Sequence, residues 1–390
     1  MTGIYLDNSM AAKPSNLTVS NMLTFLTDNW GSASSPHQKG QQLFPAIESN
    51  YKSLYTLLGA NDQDTVILTS SGTEAVNHAL FSTYYDITRT TGKNQFISSH
   101  LDEAPAMMSI NRLQSLGCVG QLVEANKNGY ITAQDIAEAI TPRTALVSLS
   151  WANGLTGVIN PVAEIAAICE QRGILFHLDA THVLGKLYFD LKEVGAHFIS
   201  FNGNQLHAPM GSGGLYIKAG TKCSPFIVGG LEQAGFRAGE LNMHALAALG
   251  CAAKEAIESR DFLCTETARL RDKLEQGICT EFAAAVPFFQ DQERLPHCTT
   301  IGFRGISNEA LLYALNRKNI FACIGGGNFQ QIGLVLMASK IPEILAQTAI
   351  SFSLSRYTTE DEIDRAITII GETVRRLSKT SEKLLPNELT

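Results

Sequence analysis

Long runs of like charge and long runs of apolar residues are both missing from this chain of 390 residues. With 30 Lys and Arg against 37 Asp and Glu, the formal net charge is −7, and no basic cluster offers the electrostatic footprint of a nucleic-acid or anionic-membrane binder. No window reaches the ~20 apolar residues of a membrane-spanning helix. The opening MTGIYLDNSM has no basic stretch followed by an apolar one. A cytoplasmic protein is expected, with no membrane and no nucleic-acid partner. Cys-x-x-Cys pairs are absent too: the 8 cysteines are scattered, without histidines at metal-ligand spacing. Neither a metal site nor a disulfide framework is expected, and most of these thiols read as small buried hydrophobes. Internal repeats and low-complexity segments are also lacking.

What is present is apolar mass. Hydrophobic residues make up 45% and charged residues 17%, enough for a large buried core and inconsistent with disorder. The length exceeds what one core usually supports, so two domains are expected. From about residue 64, short apolar runs alternate with amphipathic stretches, which predicts an α/β domain with a mostly parallel sheet. The clearest strands are 66–69, 95–99, 145–150, 174–179, 198–202 and 213–217. Helical patterns lie between them, such as VAEIAAICEQRG, which ends on the stop signal Gly173. After Asn242 a long helical pattern leaves the sheet region, and a second set of strands and helices starts near Thr299. The boundary is placed near 255, giving a large domain over 15–255 and a smaller α+β domain from 1–14 and 256–390. The polar tail after Ser378 is expected to fray.

In an open parallel sheet, ligands sit beyond the carboxyl ends of the strands, and three segments bring polar residues there. In ILTSSGTEAVNHAL, Ser71 and Glu74 have capping-box spacing at a helix start, which suits either a plain helix beginning or a phosphate on free N–H groups. In ILFHLDATHVLGK, Asp179 closes an apolar strand and reads either as a cap for the next segment or as a carboxylate meeting a cation. The third, ISFNGNQLHAPMGSGGLYI, reads by itself only as a tight glycine-rich loop.

Together and in this order, the three segments resemble the cysteine desulfurases of the NifS and IscS type, in the class V aminotransferase superfamily. IYLDNSMAAKPS, GSASSPHQKG, GGLEQAGFRAGELN and AISFSLSRYTTEDEID extend the likeness over nearly the whole chain. The resemblance implies the type I fold of pyridoxal-phosphate (PLP) transferases, with a mostly parallel seven-stranded sheet flanked by helices, and a homodimer. It also implies PLP as cofactor. Asp179 then matches the aspartate that pairs with the pyridine nitrogen, Thr73 the threonine at the phosphate, and His182 stands where a glutamine commonly bonds the ring oxygen.

Other positions depart from the family pattern. Ser-Gly-His-Lys becomes Asn202-Gly203-Asn204-Gln205, so the Schiff-base lysine aligns with Gln205. A primary amide nitrogen is conjugated with its carbonyl and is no useful nucleophile. Lys218 and Lys222 lie past the next strand and read as surface lysines. Glu103 falls where a histidine stacks on the ring, with His100 three residues early. The family's Asn-Asn-Glu-x-Gly becomes Asn153-Gly154-Leu155-Thr156-Gly157, and its Arg-x-Gly-Thr becomes Arg237-Ala238-Gly239-Glu240, which sets a carboxylate near a phosphate. The carboxylate-clamping arginine aligns with Ser351, although Arg356 is kept. The nucleophilic cysteine aligns with Gly325 or Asn328, depending on where about three missing residues are placed; Cys323 remains the candidate thiol.

No catalytic residue is therefore assigned. Covalent PLP is not expected, and weak non-covalent PLP is left open. The expected function is a desulfurase-like binding or regulatory pseudoenzyme, with an iron–sulfur or sulfur-transfer protein as partner. The alternative is an active PLP-dependent sulfur-transfer or aminotransferase-like enzyme using non-covalent PLP or pyridoxamine phosphate.

Overall fold

Apolar runs rich in branched residues become strands because their side chains can pack on both faces of a covered sheet. A computed structural model, which describes residues 3–326 and 330–384, arranges them in chain order as twelve strands. These are β1 (Ile4–Tyr5), β2 (Thr65–Thr69), β3 (Gln95–Ser99), β4 (Val119–Val123), β5 (Thr144–Ser150) and β6 (Leu175–Asp179). They continue with β7 (Phe198–Asn202), β8 (Gly213–Ile217), β9 (Ala285–Pro287), β10 (Cys298–Phe303), β11 (Ile320–Phe321) and β12 (Ala349–Ser353).

The main sheet has seven strands in the order β2-β8-β7-β6-β5-β3-β4. It is parallel from β7 through β4, and β8 runs antiparallel between β2 and β7. Every residue of β3 and β5 is buried, as a parallel sheet covered on both faces requires. This is the mostly parallel seven-stranded sheet that the sequence predicts. β4 is the strand it does not announce: Gly120 interrupts its apolar run, and at the sheet edge Val119 and Leu122 stay exposed.

A second sheet joins β9, β10 and β12 antiparallel, while β1 pairs with β11, so the chain's first strand is built in among its last third. Leu6, Leu274, Phe303, Phe352 and Ile370 share its apolar core. The helix Met243–Glu258 runs through the expected boundary at 255. Glu255 itself accepts from Ser15 and Thr18 and pairs with Arg356 at 3.2 Å, tying three distant parts of the chain together.

The polar tail expected to fray after Ser378 is instead helical to Leu384, the end of a helix that starts at Glu360. Ile363, Ala366, Ile370 and Val374 form its buried stripe, and Glu360, Asp361 and Glu362 favour its positive end. Extending a helix already anchored this way costs little compared with nucleating one.

Candidate functional site

The crevice lies beyond the carboxyl ends of β2, β6 and β7, at the start of the helix Gly72–Thr83. Ser71 is extended and its hydroxyl accepts from Glu74 N at 3.2 Å. Glu74 leaves the reciprocal bond of a capping box unmade. Its carboxylate takes Ser70 N at 2.8 Å and Arg237 Nε at 3.0 Å. Burial works against its charge, but the bonds from Arg237 and Ser70 outweigh it and hold the carboxyl below its ordinary value. Thr73, in the first turn, opens on a surface groove with Asn77, Met108 and Phe226. Gly213, at the start of β8, must lack a side chain: a Cβ there would lie 2.5 Å from the Ser71 carbonyl carbon.

Asp179 is the last residue of β6. Its Oδ1 accepts Thr181 N at 3.0 Å, and its main-chain oxygen accepts Trp151 N at 2.9 Å. His182 follows in the same turn, and Glu103 comes in from the start of the helix Ala104–Gln114. His182 Nε2 and Glu103 Oε1 are 2.6 Å apart, with side chains 3% and 16% exposed. Both Glu103 and His182 lie near enough to Asp179 to act on it electrostatically. Burial first, and then the negative charge of Glu103, push the Asp179 carboxyl upward. His100 takes no part: its side chain turns outward to Glu124 at 3.6 Å.

Gln205 sits in the turn Gly203–Leu206 directly after β7, 3% exposed. Its Nε2 donates to Ser9 O at 2.7 Å, and the neighbouring Asn204 Nδ2 donates to Met10 O at 3.2 Å. Both amides therefore stitch this turn to the N-terminal segment. Lys218 and the exposed Lys222 lie beyond β8. The lysine that does come close is Lys186, whose Nζ is 3.3 Å from Gln205 O and 3.4 Å from Gln205 Oε1. Burial pushes its amine down to about 7. Nothing in VLGKLYF distinguishes it from a surface lysine; its neighbours come from segments distant in sequence.

On the far side, Ser351 donates its hydroxyl to Leu155 O at 2.6 Å, and Asn153 Oδ1 accepts from Leu155 N and Thr156 N, both at 3.0 Å. Cys323 is buried against Asp7. Desolvation and that carboxylate push its thiol up to about 12, and Gly325 N donates to its sulfur at 3.2 Å. This is a thiol held protonated. Gly325 is placed, but Asn328 lies outside the described residues. Arg237 is engaged by Glu74 and Glu240 accepts from Ser32 Oγ at 2.8 Å, so both ends of Arg237-Ala238-Gly239-Glu240 are satisfied within the chain. Asp102, overlooked in the sequence, is a structural clamp here: its carboxylate takes Ser98 Oγ, Ser99 N and Ser150 N, joining β3 to β5.

The family model described as aminotransferase class-V matches residues 4–366. The chain belongs to that family. Within it, the chain is 35% identical over 386 residues to the cysteine desulfurase NifS of Azotobacter vinelandii, covering 98% of this chain and 95% of that one. A cysteine desulfurase of a Nostoc species is 34% identical over 387 residues, with 98% and 95% covered. Among solved structures, a NifS-like protein superposes with a TM-score of 0.89 at 25% identity, covering 96% of this chain and all of that one. A NifS-like protein from Rickettsia africae gives 0.85 at 23% identity, with 96% and 99% covered. The chain is thus a NifS/IscS-like member of the class-V family with the type I fold, and the cofactor of that family is PLP.

Proposed function

We propose that this member of the cysteine desulfurase family has given up lysine-bound PLP, and with it desulfurase activity, and serves as a binding or regulatory protein. One observation carries the reading: position 205 holds a glutamine whose amide is committed to Ser9 O at 2.7 Å. An amide cannot condense with an aldehyde. The remaining residues fit the cofactor only in part. Asp179 suits a protonated pyridine nitrogen and Thr73 a phosphate, but Glu103 sets a carboxylate, bonded to His182, where the resemblance calls for a stacking ring. Arg237, already neutralised by Glu74, has little charge left for a phosphate. These residues do not fit a covalently anchored PLP.

The same reading takes the protein as a cytoplasmic homodimer meeting an iron–sulfur or sulfur-transfer protein, divided at about 255 with the first 14 residues in the smaller part. The apolar residues Val228 and Leu231, 76% and 88% exposed on the loop after β8, support an assembled form. No described helix is long and apolar enough to cross a membrane.

A second reading, an enzyme using PLP or pyridoxamine phosphate without a covalent link, is favoured by the retained Asp179 and Thr73. One experiment separates the two. Purified protein is incubated with PLP and cysteine, sulfide is measured, and borohydride-treated protein and untreated native protein are weighed by mass spectrometry. The expected result is no sulfide, no trapped adduct and no retained PLP at micromolar concentration. Retained PLP without an adduct moves the assignment to the second reading, and robust sulfide release defeats the first.

A further inference from the structure

Behind the Gln205 turn lies a narrow cavity of about 20 Å³, lined by Asn8, Lys186, Gln205, His207, His297 and Arg356 among others. A single water-sized particle needs roughly 10–15 Å³ measured this way, so the space suits one heavy atom and excludes phosphate or any carboxylate. The polar groups around it are unevenly answered. Arg356 is paired with Glu255 at 3.2 Å. His207 shares a hydrogen bond with Lys13 O through Nδ1 at 2.7 Å, and burial, helped by the Arg356 charge, pushes it down to about 4, so it is neutral.

Two groups are left. Lys186 has no carboxylate within ion-pair distance among the described residues; its contacts are the two Gln205 oxygens at 3.3 and 3.4 Å. His297 is 1% exposed, and neither of its ring nitrogens meets a hydrogen-bond partner among the described residues. The charge of Lys186 is the foremost one acting on that ring. A lysine whose charge is disfavoured for want of a counter-charge and an imidazole without partners are each costly in the interior, and an anion beside them would hold the lysine charged. A water molecule would answer the imidazole but bring no charge. A small anion answers both, accepting from Nζ of Lys186 and from the N–H of His297.

We propose that this cavity is a binding site for one monovalent anion of single-heavy-atom size, a halide or the hydrosulfide ion. Lys186 supplies the charge and His297 the second donor, and the small volume supplies the selectivity. This site is independent of the reading of the crevice, since it needs no PLP and no partner protein.

The test follows the thermal unfolding midpoint of the full chain at neutral pH in chloride, bromide or hydrosulfide, with ionic strength balanced by gluconate. The expected result is a saturable upward shift in at least one of the three, lost in Lys186→Met and in His297→Phe. A shift with halides alone assigns the site to halide, and a shift with hydrosulfide alone assigns it to sulfide. Crystals soaked in bromide and in hydrosulfide provide a measurement that does not depend on the variants folding. An anomalous bromide peak, or a sulfur peak from hydrosulfide, is expected between Lys186 and His297. Equal midpoints in every salt together with no such peak overturn the proposal.

Discussion

The ends of β6 and β7 lie side by side in one sheet, with Asp179 opposite Ser200, yet they differ in kind. At the end of β6 a buried carboxyl, a second carboxyl and an imidazole crowd together. At the end of β7 two amides, Asn204 and Gln205, tie the turn to residues 9 and 10, with the buried amine of Lys186, which has no counter-charge among the described residues, behind. The sheet fixes where both backbones go, through apolar residues that have no part in the chemistry. What each strand end can do is decided by one or two side chains, and these change without disturbing the frame. A shared fold at a TM-score of 0.89 is therefore compatible with very different chemistry in adjacent loops.

The largest test of this contrast is His182→Ala. It leaves the Glu103 carboxylate without its hydrogen-bond partner 2.6 Å away, and stranding a buried charged group this way costs about 3 kcal/mol or more. Urea unfolding of the single variants and of the Glu103→Gln, His182→Ala double variant measures it. If the pair is coupled, the double variant loses clearly less than the sum of the singles. Losses that simply add would show that the 2.6 Å contact does not hold this end together.

At the β7 end a smaller effect is expected. Gln205→Leu leaves Ser9 O without its donor and Lys186 without a side-chain acceptor, a loss of about 1–3 kcal/mol by the usual cost of an unsatisfied buried group. A variant as stable as the native chain would mean that the amide is a mere space-filler.

The finest distinction is in pH. Asp179 holds its proton more tightly folded than unfolded, so as pH rises from the ordinary carboxylate range through the raised value the folded state is penalised and stability falls. Asp7, pushed up to about 6 chiefly by burial, acts in the same sense, so Asp179→Asn removes only part of that slope. Lys186 behaves oppositely. With its amine at about 7 folded against 10.5 for an ordinary lysine, the unfolded chain binds more protons across that window and stability rises with pH. Lys186→Met removes this rising contribution between about pH 7 and 9, below the range where buried thiols such as Cys298, pushed up to about 11, act in the opposite sense. Unfolding curves taken in gluconate from pH 4 to 10 read both, and slopes of the same sign would contradict the assignment.

Much of the frame was legible in the sequence. Strands 95–99, 198–202 and 213–217 stand where their apolar runs place them, and Gly173 ends its helix in the left-handed conformation at φ +61. Asp179 was legible because a carboxylate at the end of an apolar run is conspicuous. Less could be read of its surroundings. Glu103 and His182 are separated by three helices and three strands in sequence, and no local pattern announces their contact. Lys186 and His297 look like ordinary surface residues in VLGKLYF and RLPHCTT, because burial imposed by distant segments leaves no periodicity. The last turns of the helix Glu360–Leu384 escaped for the opposite reason: their composition is that of a solvated tail, and only continuity with a packed helix orders them.

The turn Gly203–Leu206 is held between antiparallel β7 and β8, which pair through Asn202 and Gly213, so whatever side chain stands at 205 is delivered to the same place. Glutamine and lysine codons differ by a single nucleotide. In genetic terms, then, an amine at 205 is one point mutation away. In physical terms that change is obstructed, because a lysine at 205 would meet the amine of Lys186 beside it, and the turn Gly203–Leu206 has no acidic residue to offset the repulsion of two charges. A buried lysine already beside position 205 can thus act as a ratchet, making a second amine there depend on changes at several neighbours in the right order.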